Sequence, residues 1–553
     1  MFVLNSWDSL KERVVGLLPR GTLRARFARG AFWAVAGTVI AQALALAASI
    51  VVARLFDSKT LYGELGMIRN TVVMFGIVAG MGLGLTSTKH VAEFRVSDPA
   101  RAGRIIRLSF AVATGASVLM SLAVFFLAPW LAARTLSAAH LETALRIGCI
   151  ILFFEALNGV QLSTLAGFEA FKAVARLSFL RGIAMFPLMV GGAWLGKPYG
   201  SAAMLHGVLW GLAGAAAFGW FVNRLALRRL YRNHHIPPAS LADARLEFGV
   251  LWAFSLPALL ATVMGVFAPW AAAALLVHLL RDPGFGDLWA SSLPTFLHGA
   301  PWSSGLCAAD TAVVLSRESG YAALGVFNAA NQWQVPVTLL STQVAIVLLP
   351  MLASFGSGPD GRRRSDRAVE AAHLVIVVAV LPLVALLSCF PHLIMGLYGE
   401  KFAPYIHVLW AALFVAGVKS LGAVAGTLLA TRGAMWTTFF INLVWAAALL
   451  ALVLAWARGA ERYADVFSIS YLAAALAALL LCGARRFCSW TLAGNILLVT
   501  GCLAVVSYGM AFVGSVWVRL ALFAGACLIA GLAALRAWRR LKASAIAGAS
   551  GRT

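Results

Sequence analysis

The chain has 553 residues, 61% apolar and only 12% charged, where an ordinary soluble domain carries about a quarter charged residues. That excludes a soluble globular enzyme and points to an all-α polytopic membrane protein. A helix needs about 20 mostly apolar residues to cross a bilayer, and such runs recur from residue 31 to 535. The net charge of +23 does not mark a nucleic-acid binder, because the Lys and Arg cluster beside the apolar runs and form no single basic face.

In chain order, a basic segment over 1–30 holds Lys11, Arg13, Arg20, Arg24, Arg26 and Arg29. The apolar run behind it is too long for a signal-peptide core, so the first helix is expected to stay in the protein. The amphipathic start SWDSLKERVVGLL reads equally as a surface helix or as a tail. Crossings are then predicted at 31–53, 64–88, 105–128, 141–166, 175–196, 201–223, about 250–280, 321–353, 369–390, 405–430, 435–457, 464–483, 492–513 and 516–535, fourteen in all. Charge tests that count independently, since cytoplasmic loops keep an excess of Lys and Arg. With the N-terminus inside, most of the 44 Lys and Arg residues fall on inside segments, such as Arg228, Arg229, Arg232 and Arg362, Arg363, Arg364, Arg367. Both termini are therefore expected in the cytoplasm.

One region breaks the rhythm. Residues 281–320 are polar and proline-bearing, and APW occurs at both 268–270 and 300–302, which reads as an insertion, with a re-entrant hairpin as one form that leaves the charge alternation intact. The seven cysteines lie mostly in apolar segments and show no CxxC spacing, so neither a metal site nor a disulfide framework is expected. Prolines at 187, 257, 269, 336, 350 and 382 and glycines at 80, 82 and 84 interrupt apolar runs, as hinges or as ordinary membrane-helix residues. Trp130, Trp410 and Trp456 read as interfacial anchors.

The chain also carries an internal repeat. LYGELGMIRN at 61–70 aligns with ALGVFNAANQ at 323–332 on Gly63 and Gly325, Arg104 with Arg367, and LAGFEAF at 165–171 with LATRGAM at 429–435. The offsets agree within two residues. The division expected is a first six-helix half over 31–232, a second over 233–483 with an insertion near 271–302, two extra helices over 484–540, and a cytoplasmic tail over 541–553. Two such halves in one orientation enclose a cavity between them.

The opening RGAFWAVAGTVIAQALALAASIVVARLFDSKTLYGELGMIRN, followed by GMGLGLTSTKHVAEFR and later by GYAALGVFNAANQW and LLPMLAS, resembles the oligosaccharide flippases of the MOP exporter superfamily, the Wzx type of O-antigen, lipopolysaccharide and exopolysaccharide assembly. The resemblance implies a bacterial inner-membrane protein that flips a lipid-linked oligosaccharide of the polyprenyl-pyrophosphate type by alternating access, with no covalent chemistry and no cofactor. Its expected partners are that substrate, membrane lipids, a coupling proton or sodium ion, and a polysaccharide polymerase.

Moving a sugar pyrophosphate through lipid needs cations for the phosphates and amides for the sugars, buried at depth. Glu155 and Lys419 each lie about fourteen residues into their crossings, near the bilayer middle, and the repeat maps one onto the other. Lys419 is read as attracting the pyrophosphate or pairing with Glu155, and Glu155 as binding a coupling ion. The bland alternative ties Glu155 to Asn158 and Lys419 to a backbone carbonyl. Arg69 and Asn70 match Asn331 and Gln332. With Asn328 these read as a polar lining, Arg69 being the bidentate phosphate candidate, or else as hydrogen-bonding glue between helices, worth about 1 kcal/mol a bond. Arg146 and Arg181, weaker candidates for the cavity, lie near helix ends and read otherwise as snorkelling cations, Arg146 also pairing with Glu142 four residues before it. Asp310 is a cavity acid or a loop charge, depending on how its segment folds.

Two rival classes stay open: a multidrug or cation antiporter of the same superfamily, and a membrane enzyme of polysaccharide assembly. An antiporter for cations favours cavity acids, whereas the buried set here leans basic. In the longest outside stretch, 281–320, His298, Asp282, Asp287, Asp310 and Glu318 show no catalytic spacing.

Overall fold

The computed structural model describes residues 23–80, 83–237, 240–244, 247, 256–281, 319–353, 359–432, 434–484, 490–509, 517–532 and 535. Every regular element among them is helical. The first half comprises α1 (Leu23–Phe56), α2 (Lys59–Gly80), α3 (Leu83–Ser97), α4 (Pro99–Trp130), α5 (Glu142–Gly167), α6 (Phe171–Gly196) and α7 (Ser201–Asn233). A short α8 (Leu241–Ala244) leads to the second half: α9 (Leu256–Arg281), α10 (Gly320–Asn331), α11 (Gln334–Ala353), α12 (Pro359–Cys389), α13 (Pro391–Gly396), α14 (Ile406–Thr431), α15 (Met435–Trp456) and α16 (Ala460–Ala484). Helices α17 (Trp490–Gly509) and α18 (Trp517–Leu532) follow. Ten of the described helices are long and apolar enough to cross a membrane. Large apolar side chains such as Leu119, Phe126 and Leu480 stand exposed on the outside, the surface a lipid solvent requires.

The packing repeats between the halves. Helix α1 lies on α6 as α9 lies on α15, α5 on α7 as α14 on α16, and α4 on α5 as α12 on α14. Helices stand in order at the fourteen predicted positions, ten of them long and apolar enough to span, with one difference of form among the described residues. Crossing 321–353 is two helices, α10 and α11; in crossing 64–88, residues 81–82 between α2 and α3 lie outside the described residues. The break has a direct cause: Pro336 has no N–H to give, and its ring displaces the carbonyl of residue 332, where the helix stops. Helix α4 starts at Pro99, not 105, because Pro fits a first helical position and the Asp98 carboxylate accepts from the Arg101 amide at 2.9 Å.

The repeat also determines where the halves touch. At the crossing of α2 and α10 a β-carbon on Gly63 would overlap the carbonyl oxygen of Tyr321, and one on Gly325 would overlap that of Lys59. The two glycines aligned by the repeat thus face each other, and only glycine lets the backbones approach so closely. Ser319 caps α10 by accepting from the Ala322 amide at 3.2 Å, which fixes the entry of that helix into the crossing. Helix α17 packs on α12 and α14, so the C-terminal pair belongs spatially to the second half.

Candidate functional site

A cavity of about 750 Å³ opens within the first half, walled by α1, α2, α5, α6 and α7, with Leu259 and Thr262 of α9 at its edge. Its lining is mostly apolar, and three charged side chains enter it: Arg69 from α2, Glu155 from α5 and Arg181 from α6. The Arg181 guanidinium donates to Glu155 Oε1. Both stay about a third exposed to the cavity, so the pair is solvated in part and contributes little to stability. Arg69 is half-buried and makes no hydrogen bond or ion pair among the described residues. The site thus holds one neutralised pair and one cation whose donors are unused, the arrangement a planar guanidinium offers to a phosphate.

Asn158, expected as the bland partner of Glu155, has other partners: its Nδ2 donates to Ala216 O at 2.9 Å, and Asn223 Nδ2 donates to its Oδ1 at 3.2 Å. It joins α5 to α7 behind the cavity wall. Arg181, expected to snorkel toward the interface, turns inward instead, to the Glu155 carboxylate on the neighbouring helix. Gly219 leaves room for this, with the Arg181 chain passing where its side chain would be.

The second half treats its deep charge differently. Lys419 Nζ donates to Gln334 Oε1 at 2.9 Å and lies 4.9 Å from the centre of the Tyr471 ring. It stands outside the cavity and does not meet Glu155 in this state. Its partner is a side chain, not the backbone carbonyl of the bland reading. Asn328 is wedged against Gly66 at the α2–α10 crossing, where its Nδ2 is buried without a partner. Asn70, Asn331 and Gln332 are half-buried and do not line the cavity. Arg146 makes the expected helix pair with Glu142 at 2.7 Å and lies 5.1 Å from the Phe125 ring centre. Asp310, with the insertion that carries it, lies outside the described residues.

Sequence reasoning passed over a latch between the halves. Arg54 Nε donates to Leu397 O at 2.6 Å, Lys59 Nζ to Tyr405 Oη at 2.7 Å, and Lys401 Nζ to Asp57 Oδ2 at 2.8 Å. Tyr321 Oη donates to Leu136 O at 2.7 Å, and Tyr62 stacks edgewise on Tyr398 and Phe402. All of these gather at the end of the bundle that carries the α1–α2 and α13–α14 connections. Trp270 Nε1, donating to Thr71 Oγ1 at 3.0 Å, continues the seam deeper. At the opposite end the described ion pairs stay within one half, as Arg95–Glu169 and Arg432–Asp366, or hold the linker, as Arg101 and Arg104 with Glu247. Loop charges at predicted crossing ends gave a sequence reader no sign of which would meet.

A family model described as "polysaccharide biosynthesis protein" matches residues 27–355. The chain belongs to that family. Among solved structures it is similar to the lipid II flippase MurJ in an inward closed conformation, with a TM-score of 0.60 and 12% identity over 91% of this chain and 98% of that one. It is also similar to a MOP-superfamily transporter from Pyrococcus furiosus, described as having a binding pocket of reverse polarity, with a TM-score of 0.55 and 13% identity over 85% and 96% of the two chains. A third likeness is to an inward-facing multidrug resistance transporter of the MATE family, with a TM-score of 0.53 and 13% identity over 82% and 98%. At such identities the likeness is one of fold, the multi-span fold of MOP transporters. Comparison with curated protein sequences returned no match.

Proposed function

We propose that this protein flips a lipid-linked oligosaccharide, of the polyprenyl-pyrophosphate type, from the cytoplasmic to the outer leaflet of a bacterial inner membrane for polysaccharide biosynthesis. The observation that carries this reading is Arg69, a guanidinium without hydrogen-bond or ion-pair partner among the described residues, presented to a cavity of about 750 Å³. Burying a cation costs energy unless it is used, and a phosphate is the ligand its fork of donors matches. Arg181 and Glu155 form a pair that a second phosphate oxygen opens, releasing Glu155 toward a coupling proton or sodium ion. Lys419, held by Gln334, acts in the second half after the cavity turns to the other side.

The latched end is the outer one on this reading, since it joins the segments poor in Lys and Arg. Transport then alternates between this closed form and one in which the Gly63–Gly325 crossing separates, with 31–232 and 233–483 moving as the two halves. The net positive cavity speaks against a carrier of cationic drugs, and three charges tied to positioning and not to a proton-transfer chain speak against an enzyme. Sugar chains that leave the site would pass to a polymerase in the same membrane.

The test is to delete the gene in its native host and apply a membrane-impermeant lectin or glycosidase to sided vesicles. Complete lipid-linked units accumulating on the cytoplasmic leaflet, with export restored by a plasmid copy, are the expected result. Units that still reach the outer leaflet would overturn the reading.

A further inference from the structure

A second polar cluster lies outside the cavity, where α14, α16 and α17 meet. His407, the second residue of α14, makes a 2.8 Å hydrogen bond through Nε2 to Asp465 Oδ1 of α16. Tyr508 of α17 lies 3.3 Å from the same carboxylate oxygen and donates to Ser468 Oγ at 2.8 Å. Its ring meets the imidazole edge-on at 5.6 Å. Glu461, one turn before Asp465, also acts on the imidazole. From α18 the Arg519 guanidinium lies 5.9 Å from the Trp410 ring, one turn beyond His407. On the other side, Tyr405, two residues before His407, receives the Lys59 ammonium of the first half at its hydroxyl and under its ring.

The start of α14 is therefore held from two directions. Lys59 ties it to the first half, and Asp465 ties it to its own. Asp465 and Glu461 bring two carboxylates to this spot, the inner one bonded by the imidazole and by the Tyr508 hydroxyl. When His407 carries a proton, it forms an ion pair with Asp465, and the cluster tolerates the dry, latched surroundings. When it does not, the Asp465 carboxylate loses that positive partner and is better served by water, hence by separation of the halves at this end. Histidine is the side chain whose charge changes under ordinary conditions.

We propose that His407 and Asp465 form a proton-binding site that tightens the latch between the halves, so that closing this end of the bundle takes up a proton. The ligand is the proton itself. Tyr508 orients the carboxylate and brings the C-terminal pair of helices into the device, a role that the cavity does not ask of them. This inference stands without the transport reading, because it concerns only the equilibrium between latched and open forms.

The experiment uses the full chain in lipid nanodiscs without substrate. A donor and an acceptor dye are attached through non-natural amino acids at Ala139 and Glu400, which are exposed and lie on the two halves at the latched end. Between about pH 8 and about pH 5 the short-distance population is expected to grow severalfold. His407→Gln keeps an N–H for Asp465 and should give a distribution that no longer responds to pH. Asp465→Asn should move the response to lower pH, and Tyr508→Phe should retain it, the phenol being uncharged throughout. In the unaltered chain, exchange of the imidazole C2 hydrogen of His407 should titrate at the same midpoint as the distance change. A His407→Gln chain that responds as the wild type does, or a His407 that stays uncharged across the range, overturns the proposal. A pH response that survives alongside normal glycolipid export in the deletion strain would retain the switch and discard the flippase.

Discussion

In the first half, α5 and α6 turn Glu155 and Arg181 into a cavity that Arg69 also enters from α2. In the second half, the repeat-equivalent of Glu155 is Lys419, and there α11 and α16 close Gln334 and Tyr471 around it. The backbones pack in the same order, yet among the described residues the first half turns its deep charges into a cavity, while the second surrounds its own with side chains. A duplicated fold fixes which helices touch, because that depends on helix lengths, small residues and connections. Whether a deep charge faces open space depends on side chains, and in the second half Gln334 and the Tyr471 ring meet Lys419 directly. The same contrast separates a charge available to a ligand from a charge already satisfied.

The difference can be broken from either side. The largest effect is expected from Arg69→Ala, which removes the cation without a partner among the described residues: export should fall about 10- to 100-fold, as the loss of a charged hydrogen bond predicts. Arg69→Lys should recover only part of it, since a point charge does not replace the bidentate fork. Sided-vesicle assays at matched protein level measure both. Next comes Gly325→Val, which drives a side chain into the Lys59 carbonyl and should cost about 1–3 kcal/mol in the latched form. In the dye experiment above, the Ala139–Glu400 distance should lengthen while the helical content stays unchanged. Arg181→Gln leaves Glu155 without its cation. Because the pair is about a third exposed, thermal stability should change by about 1 kcal/mol or less, while export falls further than that loss explains. The smallest effect belongs to Lys419→Met. It removes one hydrogen bond to Gln334 and should reduce export by about tenfold or less. A Lys419→Met defect as deep as that of Arg69→Ala would show that the second-half site reached in the other state weighs as much as the first-half cavity, and would erase the contrast.

Particular residues show how much was readable beforehand. The membrane class, the order of crossings and the alignment of Gly63 with Gly325 followed from hydropathy and repetition. These are local or periodic properties, so they survive without coordinates. Arg69 was recognisable as a charge inside a long apolar run, as was Glu155. That Arg181 would turn inward to Glu155 was not, because the pairing joins residues on different helices and depends on the rotation of each about its axis. Glu64 stayed hidden for a related reason. It stood at the first position of a predicted crossing and looked like a boundary charge, yet it is buried and held by His140 at 2.8 Å. His407 and Asp465 were passed over in the same way, each near the end of its own crossing and far from the other along the chain.

By itself the sequence determined that this chain spans a membrane many times, that its halves repeat, and that its buried charge leans basic. Those features rest on composition and spacing, which each residue carries wherever it is placed. Only the tertiary structure decided which charges are spent on one another, which half holds the cavity, and which end is latched. Such pairings are set by angles and separations of a few ångströms between helices remote in the chain, and hydrogen bonds and ion pairs are sensitive to distances on that scale.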